Sequence, residues 1–347
     1  MTKQQKSLLP PIGAGDLIDR SIRLYRQHIL TLILIAIPPV LFCTLLSTGW
    51  NFFVYSNLSS RIEVDFFALF GNTIFWLAEL IMILCVMGGF SRNLVSSIVF
   101  ETPISFRETY LIVVKKIGKL FVSSALVATF LLVVFFITFY FSLVVFFLLV
   151  GVLLYITSPL FYLSMISVFL SLIVVFLGGG WIFFFVASRF VYVPQVIAVE
   201  GKGVLSAISR SSSLARANTN RVYALFVFTI IVVYVALALI YIPLLIYSYF
   251  SGVENFIFKT MDRSPLWYLI ISEGLFQISL VLASPVLMIG LSLLYIDERV
   301  RNEGYDIELL AARHLEEVPL LETQSTPFHP VLKNEISEQS VKIFNIS

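Results

Sequence analysis

Residues 120–188 read LFVSSALVATFLLVVFFITFYFSLVVFFLLVGVLLYITSPLFYLSMISVFLSLIVVFLGGGWIFFFVAS, without a single charged side chain. A run of this length and composition holds either two long bilayer-crossing helices or three short ones. The flanking charges decide between them. With two spans, Arg189, Lys202, Arg210, Arg216 and Arg221 fall on the same side as Arg107, Lys115, Lys116 and Lys119. With three, those five would lie outside, against the tendency of Lys and Arg to stay cytoplasmic. Two spans are therefore expected, turning within 151–159, where Thr157, Ser158 and Pro159 supply the turn chemistry.

Working outward, apolar runs at about 29–55, 66–91, 222–250 and 266–295 each exceed the roughly 20 residues that cross a bilayer. With 120–150 and 160–188 they make six spans, and an even number returns both termini to one side. Five basic residues then fall in each of four segments on that side, and only Arg61, Lys259 and Arg263 lie opposite. The expected fold is all-α: a polytopic six-helix bundle with N- and C-termini in the cytoplasm. Residues 1–12 are expected to be flexible, 13–317 to form the membrane domain and 318–347 a disordered tail. An apolar fraction of 59% against 13% charged supports the same class. No cleavable signal is expected, because the first apolar run is too long for a signal-peptide core. Cys43 and Cys85 lie inside spans and read as small buried hydrophobes.

Three stretches before outward-going spans have helical amphipathic spacing. Leu17, Ile18, Ile22, Leu24 and Tyr25 form one apolar face, opposite Asp19, Arg23 and Arg26. Phe106, Tyr110, Val113, Val114 and Ile117 form a second, after Thr102 and Pro103 as a cap and first turn. Val204, Ala207, Ile208, Leu214 and Ala215 form a third. Such helices lie in the plane of the inner leaflet and attract anionic lipid head groups, by about 1 kcal/mol per basic residue near the surface. Their spacing of about 90 to 100 residues fits three repeats of an interfacial helix plus a hairpin. It equally fits three unrelated basic loops.

Gly15-Asp16-Leu17-Ile18-Asp19-Arg20 with Leu24-Tyr25-Arg26, then Val193-Pro194, Glu200-Gly201 and Ser209-Arg210-Ser211, stand at membrane boundaries. Tyr295, Asp297, Arg299, Arg301, Glu303-Gly304-Tyr305-Asp306 and Leu309 follow the last span. In this order they resemble the signatures of poorly characterised bacterial multi-span proteins related to the membrane domain of glycerophosphoryl diester phosphodiesterases. The resemblance extends over most of residues 13–310. It implies a six-helix bundle in a bacterial inner membrane, with no established activity. In fused members a separate soluble domain carries the diesterase chemistry, and this chain has only about 50 residues after its last span, so that activity is not transferred.

Glu79 stands near the middle of the second span. Ionised there, a carboxylate costs roughly 2.5 to 3.5 kcal/mol, so it should face the bundle interior, protonated or paired. Two readings are open: the coupling residue of a transporter, or structural glue hydrogen-bonded to a neighbouring helix. Glu273 and Gln277 share one face of the last span at i and i+4, and either open to an outward cavity or snorkel to the interface. Pro38, Pro39, Pro243 and Pro285 are each able to bend a span. Gly88-Gly89 and Gly178-Gly179-Gly180 read as close-contact positions. Asp16, Asp19, Arg20, Arg26, Glu200, Arg210, Asp297, Arg299 and Arg301 form a candidate cytoplasmic-boundary motif.

His28, His314 and His329 lack ligand spacing, so no metal or cofactor is expected. Gly13-Ala14-Gly15 and Gly201-Lys202-Gly203 lack the strand that precedes a phosphate loop. No nucleophile with a base is evident and no nucleic-acid partner is indicated. The leading expectation is a non-enzymatic accessory or scaffold component acting on lipids or on partner membrane proteins, with a membrane-protein partner or a second copy as companion. The alternative is a small-molecule or lipid permease with Glu79 as coupling residue.

Overall fold

A computed structural model describes residues 13–58, 60–100, 102–157, 161–216, 219–251 and 266–303. Every regular element among the described residues is an α-helix. α1 (Ala14–Gln27) precedes the pair α2 (Ile29–Asn57) and α3 (Arg61–Phe100). α4 (Phe106–Lys115) precedes α5 (Ile117–Thr157) and α6 (Phe161–Ser188). Two short helices, α7 (Val193–Glu200) and α8 (Val204–Ala215), precede α9 (Thr219–Ser251) and α10 (Leu266–Glu303). Six of these (α2, α3, α5, α6, α9 and α10) are long and apolar enough to cross a bilayer. The chain is a multi-pass, all-helical membrane protein.

The charge-free stretch folds as the α5–α6 hairpin. α5 continues through Gly151 to Thr157, past most of the expected turn, and positions 158–160 lie outside the described residues. Inside a bilayer a helix satisfies its backbone N–H and C=O groups within the segment, so the run stays helical. For the same reason α2, α9 and α10 run unbroken through Pro38, Pro39, Pro243 and Pro285. The positions 1–12 and 318–347 also lie outside the described residues.

α10 is the most enclosed span, packed on α9, α2 and α1, whereas α5 and α6 turn most side chains outward. The apolar core concentrates at the end of the bundle where α1, α4, α7 and α8 gather, here called the basic face. Its centre is α7, every residue of which is buried. The stretch after 188 is expected only as an internal loop, and the structure folds a buried helix within it. The turn after α6 is clamped by Ser211, whose hydroxyl donates to the Arg189 carbonyl at 2.8 Å and accepts from the Tyr192 N–H at 3.1 Å. Pro194 starts the helix and Gly201, at φ 72°, ends it in the left-handed conformation that glycine adopts without strain.

Gly88 and Gly89 of α3 allow this packing. A Cβ on Gly88 would stand 2.8 Å from the Pro194 carbonyl oxygen, and one on Gly89 2.8 Å from that of Thr109. In α6, Gly179 lies against Ser142, while Gly178 and Gly180 have nothing within 4 Å. The triplet is therefore a contact at one position only.

Candidate functional site

Four helices converge on a cavity of about 420 Å³ within the span region. α2 contributes Cys43 and Ser47, one turn apart. α3 contributes Leu69, Asn72, Thr73, Trp76 and Glu79, spaced so that all face one way. α5 supplies Phe135 and Phe136, and α10 supplies Glu273, Phe276 and Gln277. Glu79, Glu273 and Gln277, the three intramembrane residues singled out in the sequence, thus line one space.

The polar groups form two levels. Nearer the end opposite the basic face, the Ser47 hydroxyl lies 2.9 Å from Glu273 Oε1 and 3.1 Å from Asn72 Oδ1. Glu273 therefore turns into the bundle. Further in, Gln277 Nε2 donates to Glu79 Oε2 at 3.5 Å. Glu79 is only 4% exposed, and its Oε1 and the Gln277 Oε1 have no hydrogen-bond partner among the described residues. At 1.5 Å per helical residue the two levels are separated by about 6 to 10 Å. Ser47 and Asn72 escaped the sequence reading. Their signal was positional: Asn72 precedes Glu79 by two helical turns on one face.

The exposed lining side chains, among them Leu69, Trp76, Phe135 and Phe136, sit mostly on α3 and α5. The cavity is thus most exposed along those two helices. Neither Arg92 nor Arg189 lines it. The Arg92 guanidinium reaches the carbonyls of Ala198 and Val199 at 3.4 Å each, and Arg189 stacks over the Phe185 ring at 5.1 Å. Lys116 joins Arg92 at the end of α7, donating to the Ala198 carbonyl at 2.8 Å. Two cations thus cap the negative end of a buried helix dipole. Burial, then Arg92 and Lys119, bring the Lys116 ammonium down to about 8.

A second constellation joins α7, α8 and α10 on the basic face. Glu200, 2% exposed, accepts from the Tyr295 hydroxyl at 2.8 Å. Around it stand Lys202 at 3.0 Å, Arg210 at 3.3 Å and Arg299 at 3.7 Å. Glu303 pairs with Arg210 and, at 3.4 Å, with Arg299. Beside them Asp297 binds Arg221 at 2.8 Å and Arg301 at 2.9 Å. The boundary residues Glu200, Arg210, Asp297, Arg299 and Arg301 therefore assemble into two adjoining clusters. Asp16 caps α1 instead, through a 3.4 Å contact with the Gly13 N–H, and no ion pair links Asp19, Arg20 or Arg26 to either cluster among the described residues. Gly304, Tyr305, Asp306 and Leu309 lie outside the described residues.

No protein-family model, curated protein or solved structure matches the chain.

Proposed function

We propose that this chain is a permease-like protein of a bacterial inner membrane, non-enzymatic, which binds a small ligand in the cavity between α2, α3, α5 and α10. Glu79 is its coupling residue, and both termini face the cytoplasm. One observation carries this reading: polar side chains from three separate spans line one space, with buried acceptor oxygens on Glu79 and Gln277 that no group engages among the described residues. A bundle held together by interhelical hydrogen bonds alone has no need of a cavity at that depth, and the volume lies in the range of ligand pockets, roughly 300 to 1,000 Å³.

Native mass spectrometry of the protein in lipid nanodiscs tests the binding step. A lone chain retaining a defined small molecule or lipid, lost on Glu79→Gln, supports it. An empty cavity, together with proton-dependent flux unaltered by Glu79→Gln in proteoliposomes, removes it.

The accessory or scaffold reading is second, favoured by the Glu200 and Asp297 clusters, which fix α7, α8 and α10 into one surface at the basic face. A stoichiometric companion protein in the same spectra would support it. Both readings include α1, α4 and α8 as interfacial helices touching anionic lipid. α4 supports this with Phe106, Leu111 and Val114 exposed beside Arg107 and Lys115. The recurrence of a short helix before each hairpin supports three repeats, α7 being an addition to the third. We also retain kinship with the family whose boundary signatures the sequence resembles.

A further inference from the structure

We infer that the ligand of this cavity carries an alkylammonium group, held between the carboxylates of Glu79 and Glu273 and the aromatic faces of α3 and α5. The inference rests on the ligand-binding reading above and adds the ligand's chemical class.

Among the described residues the lining contains two carboxylates and no Lys, Arg or His. The donors that reach those carboxylates, Gln277 and Ser47, are neutral. An ionised carboxylate in a low-dielectric site needs an opposite charge, so the cavity favours a cation and repels an anion. Geometry then separates kinds of cation. A bare metal ion such as calcium takes six to eight oxygens within about 2.6 Å. Here the oxygens stand on two levels, and no three His, Cys, Asp or Glu side chains cluster to hold a metal among the described residues. The space is also far larger than one ion needs. Trp76, Phe135 and Phe136 border it instead, and aromatic ring faces attract the diffuse charge of an alkylated ammonium.

Two sources offer this group: a water-soluble amine, or the head-group amine of phosphatidylethanolamine entering between α3 and α5. The test uses the whole chain in nanodiscs of phosphatidylglycerol alone. Binding of choline is measured by equilibrium dialysis beside its uncharged isostere 3,3-dimethylbutan-1-ol. Saturable choline binding is expected, with the isostere weaker by about thirtyfold or more, and a loss of similar size in Glu79→Gln and Glu273→Gln. Trp76→Leu provides an independent variant should either Gln form fail to fold; it too should weaken choline and leave the isostere little changed. Adding phosphatidylethanolamine distinguishes the sources: competition with choline, with that lipid retained in native mass spectra, marks the head group. No competition marks the soluble amine.

Equal binding of choline and isostere, or choline binding indifferent to all three variants, overturns the inference. The same holds if choline fails to bind while native spectra show some other retained molecule, and the ligand-binding reading then survives. With neither probe bound and nothing retained, both fall together.

Discussion

The hydroxyl of Tyr295 donates to Glu200 Oε1 at 2.8 Å, tying the last turn of α7 to the last span across 95 positions of chain. The same carboxylate meets Arg299 from that span and Arg210 from α8. Removing it takes a buried counter-charge away from cations that are themselves partly or wholly buried. Breaking such a pair from one side typically costs about 3 to 5 kcal/mol. Glu200→Ala is expected to lower the thermal unfolding midpoint in nanodiscs sharply, and Glu200→Gln by less, since an amide still accepts from Tyr295. A midpoint unchanged in both would remove Glu200 from the structural framework.

Acid should act through the same group. Burial alone would raise the Glu200 carboxyl, but Arg299, then Arg210, Tyr295 and Lys202, together hold it below its ordinary value. A depressed folded pKa means the charged form stabilises. That contribution is complete above the unfolded value of about 4.3 and disappears as pH falls toward the lower folded value. The wild-type midpoint should therefore drop on acidification below about pH 5, and the Glu200→Gln midpoint should drop less. Parallel pH profiles would assign the acid sensitivity elsewhere.

A property carried by one segment is legible in the sequence, and a property shared by two distant segments is not. The six spans are local: apolar length sets them, and the placement of Arg189 to Arg221 divides 120–188 in two. Glu79 was legible for the same reason, since one carboxylate in a span must turn inward. Ser47 and Asn72 were not, because Ser and Asn are ordinary in spans and only their shared face with Cys43 and Glu79 sets them apart. α7 was hidden by its size. Eight residues, six of them apolar, between basic flanks look like loop, and their burial depends on Gly88, about a hundred positions earlier. No periodicity announces that Glu200 will meet Arg299.

Gly88 and Gly180 make a paired test. Ala at Gly88 would place a methyl 2.8 Å from a backbone carbonyl oxygen of α7 and 2.9 Å from Leu120, and the carbonyl is unable to yield as a side chain would. Overpacking of this kind costs about 1 to 3 kcal/mol. Gly88→Ala should thus lower the midpoint. Gly180→Ala, with nothing within 4 Å, should leave it unchanged or raise it slightly through better helix propensity. Equal effects at the two positions would refute the close α3–α7 contact.

The two free cysteines report on the cavity without any engineered probe. Both are buried, but Cys43 lines the cavity one turn from Ser47, whereas Cys85 belongs to the apolar core against which α7 packs. A small uncharged thiol reagent such as methyl methanethiosulfonate enters a cavity more readily than a close-packed core. Intact-mass measurement should therefore show one adduct, on Cys43, with Cys85 unmodified until the protein unfolds. Choline at saturating concentration should slow that adduct, because a ligand between Glu79 and Glu273 stands in the path to Cys43. Modification of Cys85 first, or two adducts forming at one rate, would mean that the space around Glu79 is no more open than the core.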